Sequence, residues 1–222
     1  MFSFWKKLNE REAFEKLDQI VDDSDSDTSL PQTVHAFQTA EAIRQNPENN
    51  EFDWLSLIGL IHDLGKVMMF VEGSSSGGGG DDDDDAYLPQ WSIVGDTFPV
   101  GCLHSDTNIY HHFFENNPDY QNSKYNSSAF GIYSEHCGCV AACVFYFTFW
   151  KNRFSNMEFS YGHDEYLYHV LKANHVNLPE EGLYIIRFHS FYPWHNKGGY
   201  AQFANEFEDA SMVETFPEAW FV

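Results

Sequence analysis

The sequence predicts an all-helical bundle, and three observations predict it. Apolar residues recur at the three-to-four spacing of an amphipathic helix in several separate stretches. Segments that alternate apolar and polar residues, as half-buried strands do, are few. One stretch, Leu55 to Leu64, is apolar nearly all round, which is the pattern of a central helix buried on most sides. At 222 residues the chain suits one substantial domain, so residues 1–222 are expected to form a single domain.

The elements follow in order. The first helix is expected from about Phe4 to Val21, with Phe14, Leu17 and Val21 on one face and no Pro or Gly. It runs into Asp22-Asp23-Ser24-Asp25-Ser26-Asp27, an acidic loop of turn formers. A second helix starts near Pro31, a residue suited to a first turn, carries Val34, Phe37, Ala40 and Ile43, and closes at Asn46-Pro47. His35 lies one step from that face. The third helix is expected over about Asp53 to Phe70, and Gly73 to Asp85 is a low-complexity surface loop of serine, glycine and aspartate. Gly95 to Gly101 reads as a tight loop and Asn116 to Ser128 as irregular, while the apolar and aromatic Val140 to Ser160 takes no assignment. A fourth helix spans about His163 to Ala173, with Tyr166, Leu167, Val170 and Leu171 inward. A fifth begins near Pro179 and carries Leu183, Ile186 and His189. There is no internal repeat.

Composition narrows the function. Hydrophobic residues make up 43% of the chain and aromatics 18%, ample for a core. Twelve Lys and Arg against 34 Asp and Glu give a net charge of −22, a field that repels phosphate backbones and offers nothing to an anionic membrane. A neutral or cationic small molecule is the expected partner, without nucleic acid or membrane. The N-terminal Met1 to Lys7 leads into no apolar run of signal-peptide length, and Val140 to Trp150 is too short to span a bilayer. Cys102, Cys137, Cys139 and Cys143 do not resemble a secreted disulfide framework, so a cytoplasmic setting is expected. His136 with Cys137, Cys139 and Cys143 offers four potential zinc ligands, but the spacing matches no zinc pattern, and free thiols near an apolar segment are the expected reading.

The chemistry gathers on the polar residues of the buried helices. His35 sits on the second helix, His62 and Asp63 on the third, His163 opens the fourth and His189 closes the fifth. Four imidazoles and a carboxylate from four helices are ligands that iron, manganese and zinc all accept. Adjacent residues on a helix point about 100° apart, so His62 and Asp63 can both face a bundle core. A carboxylate can give one oxygen to each of two ions, and five ligands exceed the needs of a single ion with open positions. Each histidine alone is compatible with a packed core residue or a helix cap. Asp63 alone is compatible with an ion pair to Lys66, one turn away. A buried carboxylate with neither metal nor partner costs several kcal/mol.

The residues around these ligands form a distinctive series. It comprises His35-Ala36-Phe37-Gln38-Thr39-Ala40-Glu41, Ile61-His62-Asp63-Leu64-Gly65-Lys66, Val94-Gly95-Asp96-Thr97-Phe98-Pro99-Val100-Gly101-Cys102, Gly162-His163-Asp164-Glu165-Tyr166, and Ile186-Arg187-Phe188-His189-Ser190-Phe191-Tyr192-Pro193-Trp194-His195. In this order, from about Phe14 to about Tyr200, the chain resembles the myo-inositol oxygenase family. The resemblance implies a variant of the HD-domain fold, a helical bundle around a non-haem di-iron centre. It implies conversion of myo-inositol and dioxygen to D-glucuronate and water at a mixed-valent Fe(II)/Fe(III) pair, in a monomer. Carried over by motif, His35 and His62 bind one iron, Asp63 bridges, and His163 and His189 bind the other. Lys66 stands beside the substrate oxygen, a role that fits a fixed cation stabilising an alkoxide. Asp22, Asp23, Ser24 and Asp25 match an acidic substrate loop in which Asp23 replaces a more usual Glu. Gly95, Asp96, His189 and Ser190 match further substrate contacts.

The chain departs from the family pattern in three places. Residues 73–87 enlarge a short loop, and 139–161 insert an aromatic, apolar stretch immediately before His163. The family also supplies one more iron-binding aspartate after the last histidine. Asp209, Glu214 and Glu218 lie in that tail here, but none is in the expected motif. An arginine-bearing N-terminal substrate segment has no counterpart either. The expectation from the missing aspartate is weak iron binding or slow turnover. A metal-dependent phosphohydrolase using the same His-Asp core, with Lys66 and Arg187 for phosphate, is the alternative enzyme class. A non-catalytic relative that keeps the fold is the third reading.

Overall fold

A computed structural model describes residues 8–21, 30–70, 90–126, 130–134 and 154–204. Its α-helices are α1 (Glu10–Leu17), α2 (Gln32–Gln45), α3 (Asp53–Ile61), α4 (Ser123–Asn126), α5 (His163–Ala173), α6 (Glu180–Phe188) and α7 (Tyr192–His195). Several 3-10 turns join them, and Pro99 and Phe159 form an isolated antiparallel bridge; no strand occurs among the described residues. The all-helical class is therefore borne out. No helix among the described residues is long and apolar enough to cross a membrane. The chain divides into two compact units, the first built from residues up to Gly95 with Tyr161–Ser190, the second from Asp96–Ser160 with the segment from Phe191.

In the first unit, local chemistry sets the helix ends. Asn9 caps α1: its side chain accepts from the Glu12 amide at 3.0 Å, and Glu12 accepts from the Asn9 amide at 2.9 Å. This reciprocal box satisfies two donors that the first turn cannot pair internally. The described part of the helix starts at Glu10 and stops at Leu17, four residues before the expected end. Its inward residues are Ala13 and Leu17, followed by Ile20, while Val21 is exposed. Pro31 opens α2 and Asn46, before Pro47, closes it, as expected. Here the expected face is displaced. Gln32, Ala36, Thr39 and Ile43 are buried, and Phe37, expected inward, is 61% exposed and stacks on Phe14 at 6.3 Å.

α2 packs on α3. Gly59 permits the approach, because a Cβ there would press on Ile43 and the backbone of Ala40 at 3.2 Å. The expected long third helix divides. α-Helical geometry ends at Ile61, and His62–Phe70 winds as a 3-10 helix. This tighter segment packs against both α1 and α5, and α5 packs on α6. Val67 joins Leu17, Ile20 and Ala36 in one apolar cluster; Met68, Ile93, Val94, Tyr166 and Val170 form another. α5 begins at His163, with Asp164 and Glu165 in the first turn and Lys172 in the last, the order the helix dipole favours. A buried ion pair crosses from α5 to α6: Arg187 donates to Glu165 through Nε at 2.6 Å and Nη2 at 2.8 Å, and its guanidinium lies 4.8 Å from the Tyr168 ring centre.

The second unit is held by aromatic packing. Phe154 meets Trp194 at 4.5 Å and Phe191 at 5.1 Å, and Phe130 meets Phe203 edge-on at 5.3 Å. The buried Tyr200 hydroxyl accepts from the Ser105 amide at 3.0 Å and the Asn108 side chain at 2.7 Å. Within the span expected to be irregular, the short α4 forms. The loop expected at Gly95–Gly101 is present, with Gly101 at φ +77°.

Candidate metal centre

Four histidines converge on Asp63 within the first unit, and they divide its two oxygens between them. Oδ2 lies 3.7 Å from His35 Nε2 and 3.5 Å from His62 Nε2. Oδ1 lies 3.4 Å from His163 Nε2 and 3.6 Å from His189 Nε2. Within each pair the nitrogens are also close, 3.3 Å for His35 and His62 and 3.2 Å for His163 and His189. His35, His62 and Asp63 thus make one candidate metal group, and Asp63, His163 and His189 a second.

These spacings fit an ion. Ligand atoms about 2.1 Å from a metal stand about 3.0 Å apart at right angles and about 3.4 Å apart at tetrahedral angles. The two groups come close to that separation, at 3.3–3.7 Å in the first and 3.2–3.6 Å in the second. The rings are also turned the right way. His62 Nδ1 donates to the Gly59 carbonyl at 2.7 Å, His163 Nδ1 to Ile93 at 2.6 Å and His189 Nδ1 to Ile186 at 3.0 Å. A carbonyl only accepts, so each Nδ1 carries the proton and each Nε2 presents its lone pair to the cluster. The donor set of imidazole nitrogen and carboxylate oxygen suits iron, manganese or zinc.

Local folding places each ligand. His62 caps the end of α3 and Asp63 sits in the first turn of the 3-10 segment. Side chains three apart align in a 3-10 helix, which sets Lys66 over Asp63. Lys66 Nζ donates to Asp63 Oδ2 at 3.0 Å and to Gln32 Oε1 at 2.7 Å. The helical start of α5 delivers His163, whose amide and Nδ1 both reach the Ile93 carbonyl. His189 caps α6. Burial is deep for His62, Asp63, His163 and His189, whereas the His35 side chain is 43% exposed and forms the open flank.

The electrostatics follow from this burial. Desolvation dominates at His62 and pushes its pKa down to about 3, so the imidazole stays neutral. At Asp63 burial acts upward, but Lys66, His62, His189 and His163 together hold the carboxyl well below its usual value. At His189 burial acts downward and is outweighed by Asp164 and Asp63, so the net shift is upward.

The structure thus brings His35, His62, Asp63, His163, His189 and Lys66 together, with Ser190 Oγ 3.2 Å from His163 Nε2. Gly95 ends the first unit, and Asp96 is half-buried in the second. Asp22, Asp23, Ser24 and Asp25 lie outside the described residues, as do Cys137, Cys139, Cys143, Asp209, Glu214, Glu218, the 73–87 stretch and most of 139–161. Arg187, a phosphate candidate by sequence, is committed to Glu165. One residue was missed: Asp164, fully buried, with Oδ1 2.7 Å from His163 Nε2 and 3.4 Å from His189 Nε2. The available signal was a second His-Asp dipeptide at 163–164 repeating the one at 62–63.

Comparison with known proteins agrees with this geometry. The family described as "Myo-inositol oxygenase" matches residues 4–218. The chain is 43% identical over 212 residues to an inositol oxygenase of Dictyostelium discoideum, covering 96% of this chain and 63% of that protein. It is 43% identical over 207 residues to the inositol oxygenase of Danio rerio, covering 93% and 62%, and 45% identical over 195 residues to a probable inositol oxygenase of Oryza sativa subsp. japonica, covering 88% and 54%. The chain therefore spans a little over half to just under two thirds of the length of these relatives.

Proposed function

The chain belongs to the myo-inositol oxygenase family, and from that premise we propose that it holds two irons and cleaves the ring of myo-inositol with dioxygen to give D-glucuronate. The observation that carries the reading is the division of Asp63: one oxygen faces His35 and His62, the other His163 and His189. A carboxylate shared this way would serve as a bridging ligand, with His35 and His62 holding one ion and His163 and His189 the other. When bound, the iron pair supplies the redox chemistry and acidifies a coordinated hydroxyl.

The protein's own groups do the rest. Neutral His62 and ionised Asp63 are in the protonation states that ligands require, without any rearrangement. The Lys66 ammonium, held by Asp63 and Gln32, fixes a positive charge beside Asp63, where it would stabilise negative charge on a substrate oxygen. The half-exposed His35 leaves the first group the more open to solvent. Deep burial of His163 and His189 keeps water from the second group. Ser190, together with Gly95 and the acidic run Asp22, Asp23, Ser24 and Asp25, is proposed to hold the remaining hydroxyls. Phosphate recognition has little support here, since Arg187 and Lys66 both neutralise carboxylates.

The test is to load the purified chain with iron anaerobically, add myo-inositol and oxygen, and follow iron content, oxygen uptake and glucuronate. Two irons per chain and one glucuronate per oxygen consumed are expected. Loaded protein that consumes no oxygen and forms no glucuronate would sink the proposal.

A further inference from the structure

A side-chain amide sits in the row that α2 turns inward. Gln32 shares that row with Ala36, Thr39 and Ile43, is 5% exposed, and gives its carbonyl oxygen to the Lys66 ammonium. We propose that Gln32 is a positioning residue for the reaction, a neutral acceptor that fixes the Lys66 charge in place without cancelling it. The inference rests on the role proposed for Lys66 beside a substrate oxygen.

Lys66 Nζ stands 2.7 Å from Gln32 Oε1 and 3.0 Å from Asp63 Oδ2. The two acceptors come from different parts of the first unit. Asp63 belongs to the same 3-10 segment as Lys66, and Gln32 opens α2. A lysine head is a compact charge on a flexible four-carbon stem, so a single acceptor lets it pivot. Two acceptors on separate elements hold the nitrogen at one point. Gln32 is itself anchored: its backbone amide donates to the Ile20 carbonyl at 3.0 Å, and Pro31 before it holds the chain at φ −57°.

The neutrality of Gln32 is the second part. Asp63 already balances the Lys66 charge. A carboxylate at position 32 would hold the ammonium too, but it would leave the three groups net negative and oppose negative charge growing on a substrate oxygen. An apolar side chain there would add no charge and would remove the second anchor. Burying an amide is costly unless it is hydrogen-bonded, and the Lys66 ammonium supplies that bond.

Kinetics and lysine NMR on the full chain test this. Gln32→Leu keeps bulk and neutrality and loses the anchor; Gln32→Glu keeps the anchor and adds a charge. Each is loaded with iron and assayed with myo-inositol and oxygen. Both are expected to hold as much iron as wild type, to keep KM within about twofold and to lose kcat about tenfold or more, because the charge matters most in the transition state. The 15N signal of the Lys66 ammonium in zinc-loaded protein, assigned by its loss in Lys66→Met, gives a reading independent of activity. It should broaden or shift in Gln32→Leu and persist in Gln32→Glu. Wild-type kcat per bound iron in either variant overturns the proposal, and so does an unchanged ammonium signal in Gln32→Leu. If Gln32→Leu does not fold, Gln32→Glu decides alone. Wild type that loads iron and forms no glucuronate overturns the oxygenase reading instead, and the ammonium signal then still shows whether Gln32 holds Lys66.

Discussion

Gly65 is where the architecture of the centre is most open to a single-atom test. It sits between Asp63 and Lys66 on the 3-10 segment and lies against the backbone of His163. A Cβ built there would fall far inside contact distance of the His163 carbonyl oxygen and 2.7 Å from its carbonyl carbon. Backbone cannot swing aside as a side chain can, so Gly65→Ala must part the two segments by about 1 Å, and overpacking of this kind costs about 1–3 kcal/mol. The effect on the centre is sharper than the effect on stability. Asp63 Oδ1 is 3.4 Å from His163 Nε2. Moved apart to about 4.4 Å, the two exceed the roughly 4.2 Å that a pair of 2.1 Å bonds spans even on opposite sides of one ion. His62 and Asp63 travel together, so the first group survives. Urea unfolding and cobalt(II) binding measure both consequences. The expected variant is folded, less stable, and holds about one ion per chain. Gly162→Ala is the control: its backbone is extended, and the added Cβ would be 3.2 Å from the Ile93 carbonyl, a contact that relaxes within a few tenths of an ångström. A Gly65→Ala protein that binds two ions with wild-type affinity and unfolds within about 0.5 kcal/mol of wild type would refute the proposed closeness of these segments.

Other outcomes follow from the same contacts. Arg187→Ala leaves Glu165 buried without its bidentate partner and should cost about 3–5 kcal/mol in urea unfolding; a loss under 1 kcal/mol would show the pair to be unimportant, and the double variant Glu165→Gln/Arg187→Met should recover much of the loss. Phe37→Ser, at an exposed position, should change stability by no more than about 0.5 kcal/mol, and a loss of 2 kcal/mol or more would restore the inward face expected from sequence. Burial pushes the Cys102 thiol from an ordinary 9.0 up to about 12, so iodoacetamide at pH 8 followed by peptide mapping should leave Cys102 unmodified until the protein unfolds. The sign is fixed by the same shift. Because the folded value is raised, the thiol's contribution to stability is present below about pH 9 and is lost as the pH climbs toward 12, and wild type should lose more stability than Cys102→Ala over that range.

The helices of the first unit were legible where periodicity and punctuation agreed. Pro31, Asn46-Pro47, Gly162-His163 and Pro179 all mark real boundaries. The face of α2 was not legible, and the reason is chemical. Its buried row is Gln32, Ala36, Thr39 and Ile43, of which two are polar, so an apolar search settles on Phe37 instead. Gln32 is inside because it accepts from Lys66, and Lys66 is inside because it neutralises Asp63. The centre recruits polar residues into the helix that covers it, and those residues hide the helix from a hydrophobic reading. Asp164 escaped for a related reason. In sequence it is one acidic residue in the first turn of a helix, where a carboxylate is ordinarily exposed, whereas here both members of that dipeptide are buried.

The change from α- to 3-10 winding at His62 links these observations. An α-helix would continue the apolar run of α3 unchanged, and nothing in the pattern of Leu55 to Leu64 forbids it. The tighter winding brings residues three apart into line. Asp63 and Lys66 are three apart, so the cation falls on the oxygen that faces His35 and His62, and the other oxygen is left for His163 and His189. Gly65 completes the arrangement, because α5 can approach closely enough to use that second oxygen only where the segment has no side chain. His62, Asp63, Gly65 and Lys66 are thus one device: a ligand, a bridge, a gap for the neighbouring helix and a counter-charge, carried on little more than one turn. Filling the gap would separate the two groups. The spacing of these four residues is therefore set by the centre more than by the core it passes through.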